Sequence, residues 1–265
     1  MKHTVKVTAI LITLFLAAQF LGLLIIKPYV EEGKPLNVGP ITVERPPLEE
    51  KTSFIWIFLI IIIATIFGLL LAKLEATSLW KIWFFISVIF AMSIALSSFT
   101  NQMVALGIAI VLAVFKVFFR NIIIHNITEL FIYGGLAAIF VPLFGILSIS
   151  LLLIIISVYD YIAVRKTKHM IALAKFQTKL KIFAGLLVPY GKDKEAILGG
   201  GDIGFPLIFA GVAMKTLGMN ALIIPFFAAA ALTLLLLKSE KKKFYPAMPI
   251  ITAGCFVGYL VAYLI

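Results

Sequence analysis

Long apolar stretches, cut at intervals by short polar ones, run through this chain from end to end. Within each stretch nearly every position is apolar, so neither a helical nor a strand-like polar stripe emerges. That is the pattern of a helix surrounded by lipid and protein rather than by water. Reading each run of spanning length as a helix predicts nine, at about 5–26, 54–72, 79–99, 103–119, 123–142, 146–164, 198–214, 219–237 and 246–265. The fold class is all-α: a polytopic membrane protein with about nine transmembrane helices. The break between the fourth and fifth is the faintest, because only Lys116, Arg120, His125 and Glu129 interrupt the apolar pattern there. Composition agrees, with 63% hydrophobic residues and a mean hydropathy of +1.14, far from the soluble range.

The net charge of +11 raises the question of nucleic acid, and topology answers it. With the N-terminus in the cytoplasm, eighteen of the 23 Lys and Arg residues fall on inside segments. Lys27, Lys34, Arg45, Lys51 and Lys215 fall outside. This asymmetry is the positive-inside signature, and no nucleic-acid partner is needed to explain the pI. It places the C-terminus outside. Trp56, Trp80 and Trp83 sit near span ends, as interfacial anchors do. The first apolar run is long and no small-residue cleavage site follows it, so it reads as a retained span. Residues 27–53 form a polar, proline-bearing outer loop, and 165–197 form the longest inner one. Inside the latter, "MIALAKFQTKLKIFAGLL" sets Lys175, Lys179 and Lys181 among apolar residues, which predicts an interfacial amphipathic helix. The chain reads as one integral membrane domain. Residues 1–145 carry spans one to five and 146–265 carry spans six to nine. No internal repeat of the kind common in transporters is evident. The single Cys255 excludes a disulfide framework and a cysteine metal site.

Only three aspartates occur: Asp160, Asp193 and Asp202. Asp193, in "GKDKEA", belongs to a solvated charged loop. The other two lie in apolar segments. Asp160 stands five residues before Arg165, about 7 Å inside the cytoplasmic end of span six. Asp202 lies about one turn, roughly 6 Å, into span seven from the same side. On consecutive antiparallel helices at equal depth the two carboxyls face each other if the helices pack. A carboxylate in hydrocarbon is costly and marks function. Two facing carboxyls cannot both ionise easily, so the pair shares a proton. One member then activates a water while the other donates to the carbonyl under attack. The same acids also suit a proton- or cation-coupled transporter, in which Glu129 of span five is a further acid on the path or a helix-end charge paired with Arg120 or Lys116.

Around Asp202 the chain reads "LGGGDIGFP". Gly199, Gly200, Gly201 and Gly204 remove side chains and let another backbone approach the acid. A protease requires that approach, because a helical amide is shielded until the helix unwinds, and an exposed edge here can pair with the unwound chain as an added strand. Pro206 loosens the helix after the acid. At span nine, Pro246, Ala247, Met248 and Pro249 make a stiff, donor-poor helix start on the same side as both acids.

At these residues the chain resembles the presenilin and signal peptide peptidase family of GxGD intramembrane aspartyl proteases, in a form like its archaeal members. Tyr159-Asp160 matches the family's YD motif in the sixth span. Gly199-Gly200-Gly201-Asp202 matches GxGD in the seventh. Pro246-Ala247-Met248 stands where the family has Pro-Ala-Leu; the Leu-to-Met change conserves volume. Pro206 after GxGD is closer to signal peptide peptidases than to presenilins. The motifs cover residues 150–265, and span count alone supports the first 145. The resemblance implies a nine-span fold with Asp160 and Asp202 as the catalytic pair, supported by Tyr159, Gly199, Gly200, Gly201, Pro246, Ala247 and Met248. It implies a single-pass transmembrane helix as substrate, no metal or cofactor, and activity without partner subunits, an oligomer remaining open.

Other intramembrane proteases fit less well. No HExxH zinc motif or GxSxG serine motif occurs, and His3, His125 and His169 are too scattered for a metal cluster. His125 reads as a packed histidine. Prepilin peptidases also carry GxGD with two aspartates, but usually with a lysine two residues later, where this chain has Gly204, and without the proline element at span nine. Gly254 and Gly258 in span nine, and Gly134 and Gly135 in span five, are expected to permit close helix packing.

Overall fold

The computed structural model describes residues 4–119, 121–167, 170, 173, 176–177, 180, 182–190, 195–240 and 245–265. Among them are nine α-helices, at Val5–Glu31 (α1), Ser53–Lys73 (α2), Thr77–Ser97 (α3), Gln102–Phe118 (α4), Ile122–Phe140 (α5), Ile146–Arg165 (α6), Gly200–Leu217 (α7), Ile224–Lys238 (α8) and Met248–Leu264 (α9). Two short antiparallel hairpins join them, β1 (Leu36–Val38) with β2 (Ile41–Val43), and β3 (Gly185–Pro189) with β4 (Glu195–Gly199). Six helical stretches are long and apolar enough to cross a membrane. One of them, Gly200–Lys238, contains both α7 and α8, which part at Gly218 (φ 56°) and the 3₁₀ turn Gly218–Ile223. The apolar helices α4 and α9 have 17 residues each. A helix lies at each expected apolar run, but the expected number of nine spans is approximate, since six stretches have spanning length and apolarity.

Local chemistry sets several boundaries. Thr4 caps α1 by accepting from the Val7 N–H, and Asn101 caps α4 by accepting from Met103. At the faintest break, Asn121 accepts from both Ile123 and Ile124, so one asparagine satisfies two orphan donors and starts α5. Three boundaries differ from expectation. Helix α1 runs through Pro28 to Glu31 rather than stopping near 26, since a proline costs one intrahelical bond without ending a helix held by its neighbours. Helix α7 starts at Gly200, not 198, because Leu198 and Gly199 still pair with β3. The stretch expected to be an interfacial helix ends as a strand from Gly185, so an all-helical reading of it is corrected there. Lys175, Lys179 and Lys181, like Asp193, lie outside the described residues.

Helix α1 is the hub, packed against α5, α7 and α8, with Phe15, Ala18, Ile25 and Ile26 fully buried. In lipid there is no hydrophobic force between helices, so association depends on close approach and hydrogen bonding. Glycine supplies the approach. A Cβ on Gly135 would stand 2.0 Å from the Ala91 carbonyl oxygen of α3, and one on Gly254 would stand 2.7 Å from the Phe227 oxygen of α8. Gly258 meets the Ile224 Cα at 2.9 Å and Gly134 meets the Ile25 side chain. Helix α2 packs on α6 and α3 and turns Ile60, Ile63 and Ile66 outward, where lipid accepts them.

Gly135→Ala is expected to destabilise the fold by about 1–3 kcal/mol or more, since backbone must move to admit the methyl. Gly107→Ala, with no neighbour within 4 Å, should leave it unchanged or slightly steadier. Thermal unfolding of the two variants in detergent checks the contrast.

Candidate active site

The site is built where the β3–β4 hairpin runs into α7. Antiparallel pairing sets Leu187 opposite Ile197 and Gly185 opposite Gly199. The outer edge of β3 is closed by α5. Asn126 donates to the Leu187 carbonyl (2.7 Å) and accepts from its N–H (2.9 Å), and the His125 Nε2 donates to the Gly185 carbonyl (2.8 Å). With those groups facing α5, Leu187 and Ile197 are a non-hydrogen-bonded pair, so the N–H and C=O of Ile197 point out along the other edge. No strand pairs with that edge among the described residues. Ile197 is exposed.

"GGGD" is then a helix start. Gly199 is the N-cap with extended backbone (φ −65°, ψ 147°), Gly200 and Gly201 open the first turn, and Asp202 is the third residue. From that position its carboxyl reaches back to the Gly199 N–H, the acidic half of a capping box. The three glycines have different reasons. A Cβ on Gly200 would crowd the Tyr133 hydroxyl (3.0 Å) and the Ala184 carbonyl (3.2 Å), to which the Gly200 N–H also donates. One on Gly199 would crowd Asp202 itself (3.3 Å). Gly201 meets only the Phe205 ring, at an ordinary 3.5 Å, and is open to the cavity. Pro206 is buried four residues on and cannot donate to the Asp202 carbonyl, which opens the helical ladder at the acid. One residue later the fully buried Gln19 of α1 donates to the Ile203 carbonyl (2.9 Å).

Asp160 approaches from α6, five residues before the helix ends. Its Oδ2 accepts from the Met248 N–H at 3.1 Å, and the Ala247 amide faces it too. Met248 is the first residue of α9, so its N–H has no intrahelical partner. Pro249 follows where its missing donor costs nothing. The Ser157 and Thr252 hydroxyls bond at 2.9 Å one turn away and fix α6 on α9. Tyr159 meets Phe58 of α2 edge to face, centroids 6.1 Å apart.

The two acids meet in one cavity of about 580 Å³. Its wall includes Tyr159, Asp160, Gly199, Gly200, Gly201, Asp202 and Met248 and is otherwise mostly apolar. Both carboxyls are half-buried and close enough to interact electrostatically. Ala247 is buried behind Asp160, and Pro246 leads into that contact. Of the residues singled out from the sequence, Tyr159, Asp160, Gly199, Gly200, Gly201, Asp202 and Met248 line the cavity, whereas Ala247 reaches Asp160 through its amide and Pro246 does not line it. Three others were not anticipated in this place: Gln19, Glu129 and Tyr133, the last two lining the same cavity. Glu129 is fully buried and paired with Lys116 at 2.6 Å, which settles its partner and withdraws Lys116 from the solvent-facing charges. The readable signal was the spacing of His125, Glu129 and Tyr133 at successive fours, which puts them on one face of α5.

Two interacting carboxyls in an apolar cavity, with a glycine-lined approach, suit hydrolysis of a bond by an activated water. A model of the signal-peptide peptidase, presenilin aspartyl protease family matches residues 12–265. The chain belongs to that family. Aspartic endopeptidase activity within the membrane is accordingly its activity class. Two crystal forms of a presenilin family intramembrane aspartate protease share the fold of this protease. The C222 form gives a TM-score of 0.67 at 19% identity over 97% of this chain and 98% of the other. The P2 form gives 0.66 at 19% over 96% of each. No curated protein matches.

Gly200→Ala is expected to displace Tyr133 or the hairpin and lower both stability and cleavage. Gly201→Ala should fold like the parent, while the larger Gly201→Val should fold and yet obstruct the cavity. Melting temperature and cleavage of one peptide, measured on all three, separate these outcomes.

Proposed function

We propose that Asp160 and Asp202 are the catalytic pair of this protease and that it cuts single-pass transmembrane helices. The observation that carries the reading is the pairing of two electrostatically coupled carboxyls in one apolar cavity. With one proton between them, the ionised member takes a proton from water and the protonated member donates to the carbonyl oxygen of the scissile amide. Hydroxide adds to the carbonyl carbon. The tetrahedral adduct then collapses, the C–N bond breaks, and the amine leaves with a proton returned from the dyad. Tyr159, Gly199 and Met248 shape the wall beside the acids, and the Ala247–Met248 amides orient Asp160. The substrate helix has to unwind before its amide is open to attack. The outward N–H and C=O of Ile197 suit such a stretch added as a strand to β4, ending beside Gly199 and the dyad.

The charge asymmetry of the loops supports a cytoplasmic N-terminus, an outer C-terminus and a dyad near the cytoplasmic face. The self-contained site, with both acids and their donors on one chain, supports activity without partner subunits. In the chain as a whole, spans one to five act as frame and 146–265 as the catalytic part.

Purified protein in detergent should cut a single-pass transmembrane peptide into fragments that mass spectrometry resolves. Asp160→Ala and Asp202→Ala should each slow cleavage by at least about a hundredfold, the scale of lost acid–base catalysis, while folding normally. Substantial residual cleavage in either variant would remove that residue from the dyad. Absence of fragments together with Asp202-dependent cation flux in proteoliposomes would replace the protease by a transporter.

A further inference from the structure

Helix α5 holds a second polar group in the cavity that the hydrolytic scheme does not use. Lys116 of α4 and Glu129 of α5 form an ion pair at 2.6 Å, their side chains 1% and 2% exposed. The ammonium is fully employed: it also meets the His125 Nδ1 (3.3 Å) and donates to the His125 carbonyl (3.4 Å). The carboxylate is not. Its Oε1 takes the lysine, but Oε2 is buried with no hydrogen-bond partner among the described residues. One turn on, the Tyr133 hydroxyl is in the same condition. The two lie side by side and interact with each other, although neither atom has a partner at ordinary hydrogen-bond distance among the described residues. Both line the cavity that holds the dyad.

A buried polar atom without a partner is destabilising, and two on neighbouring turns of one helix, both lining the substrate's cavity, make a built site. Their chemistry is complementary. Glu129 Oε2 only accepts, and the Tyr133 hydroxyl can donate. A group that gives one proton and takes another fits between them, which means a side-chain hydroxyl or amide. The charge of Glu129 is already balanced by Lys116, so a neutral guest is preferred to a cation. The location is next to the chemistry: Tyr133 packs on Gly200, two residues before Asp202.

We propose that Glu129 and Tyr133 form a polar specificity subsite that binds a hydroxyl or amide side chain of the substrate beside the scissile bond. The helices this protease cuts best then carry a Ser, Thr, Asn or Gln there, against an otherwise apolar wall. This rests on the reading that the cavity at Asp160 and Asp202 is where the substrate is cut. A site built to bond a polar group discriminates strongly against the analogue lacking it, because its own buried groups go unpaired. A spectator ion pair would not.

The test uses the full-length protein in detergent and single-pass peptides differing only by Thr or Val, Ser or Ala, at each position flanking the cut. The expected result is one position at which the hydroxyl raises kcat/KM by roughly tenfold or more, the worth of one good hydrogen bond. Tyr133→Phe leaves the Lys116 pair intact and should shrink that ratio towards one. Binding of the same Thr and Val peptides to the Asp202→Ala variant gives a readout that needs no turnover, and it should show the same preference. Equal cleavage and equal binding across every pair would overturn the subsite while leaving the dyad standing. A preference that survives undiminished in Tyr133→Phe would overturn the part assigned to that hydroxyl. Loss of all cleavage in the parent, with the binding preference intact, would instead count against the dyad and for the subsite.

Discussion

A carboxyl group taken out of water needs donors, and in a membrane the free backbone donors are the first-turn N–H groups of helices. Both acids of this protein are set at such a place. Asp202 is the third residue of α7 and reaches back to the Gly199 amide. Asp160 sits one to two turns before the end of α6 and is met by the first amide of α9. Each helix start therefore has to lie at the same depth, and much of the architecture serves that requirement. The chain enters α7 from a strand rather than from a helix, so that the turn at Gly199 can be sharp. It enters α9 through Pro246 and Ala247, which hold the approach stiff. The prolines at 206 and 249 stand where a missing donor is tolerated or useful.

The same constraint explains what could be read beforehand. The apolar runs were legible because spanning length is fixed by the bilayer, and a helix lies within a few residues of each, although only six stretches are long and apolar enough to span. The two acids stood out because an aspartate in an apolar segment is costly and marks function, whether catalysis or ion coupling. Their meeting followed from equal depth on consecutive helices. The glycines were legible as a cluster but not as three separate requirements. Only neighbours from α5 and the hairpin reveal that Gly200 is confined by Tyr133 and Ala184 while Gly201 is open. The β3–β4 hairpin was not legible. Its strands have five residues each, lack a clean alternation of apolar and polar positions, and stand beside a segment with helical spacing. Its stability comes from Asn126 and His125, some 60 residues away in sequence.

Helix α5 is where the fold and the site are joined. His125 and Asn126 hold the outer edge of β3. Glu129 and Tyr133, further along, line the cavity, and Gly134 and Gly135 lock the helix against α1 and α3. A buried ion pair is weak evidence for stability, since desolvation offsets most of the attraction. Lys116 and Glu129 are better understood through position. The pair brings a carboxylate to the cavity wall with its charge already compensated, and it holds His125 by a second contact at Nδ1. With Nε2 donating to Gly185, that nitrogen is left as the acceptor, which fixes the ring in its neutral form against the hairpin.

From this follows a reason for the hairpin's one-sidedness. A strand edge in a membrane has to be satisfied or covered. The edge of β3 is covered by α5, and Pro189 at its end has no N–H to satisfy. Among the described residues no strand pairs with the edge of β4, which holds no proline and leads through Gly199 to Asp202. An apolar environment makes that exposed pair of groups on Ile197 costly when nothing is bound. The cost falls when an extended peptide supplies the missing partners. If substrate pairs with β4 as proposed, binding and unwinding of its helix are coupled, since only the unwound stretch has free backbone groups to offer. On the proposed reading the protein selects, at the strand, the same open conformation that Asp160 and Asp202 require for attack.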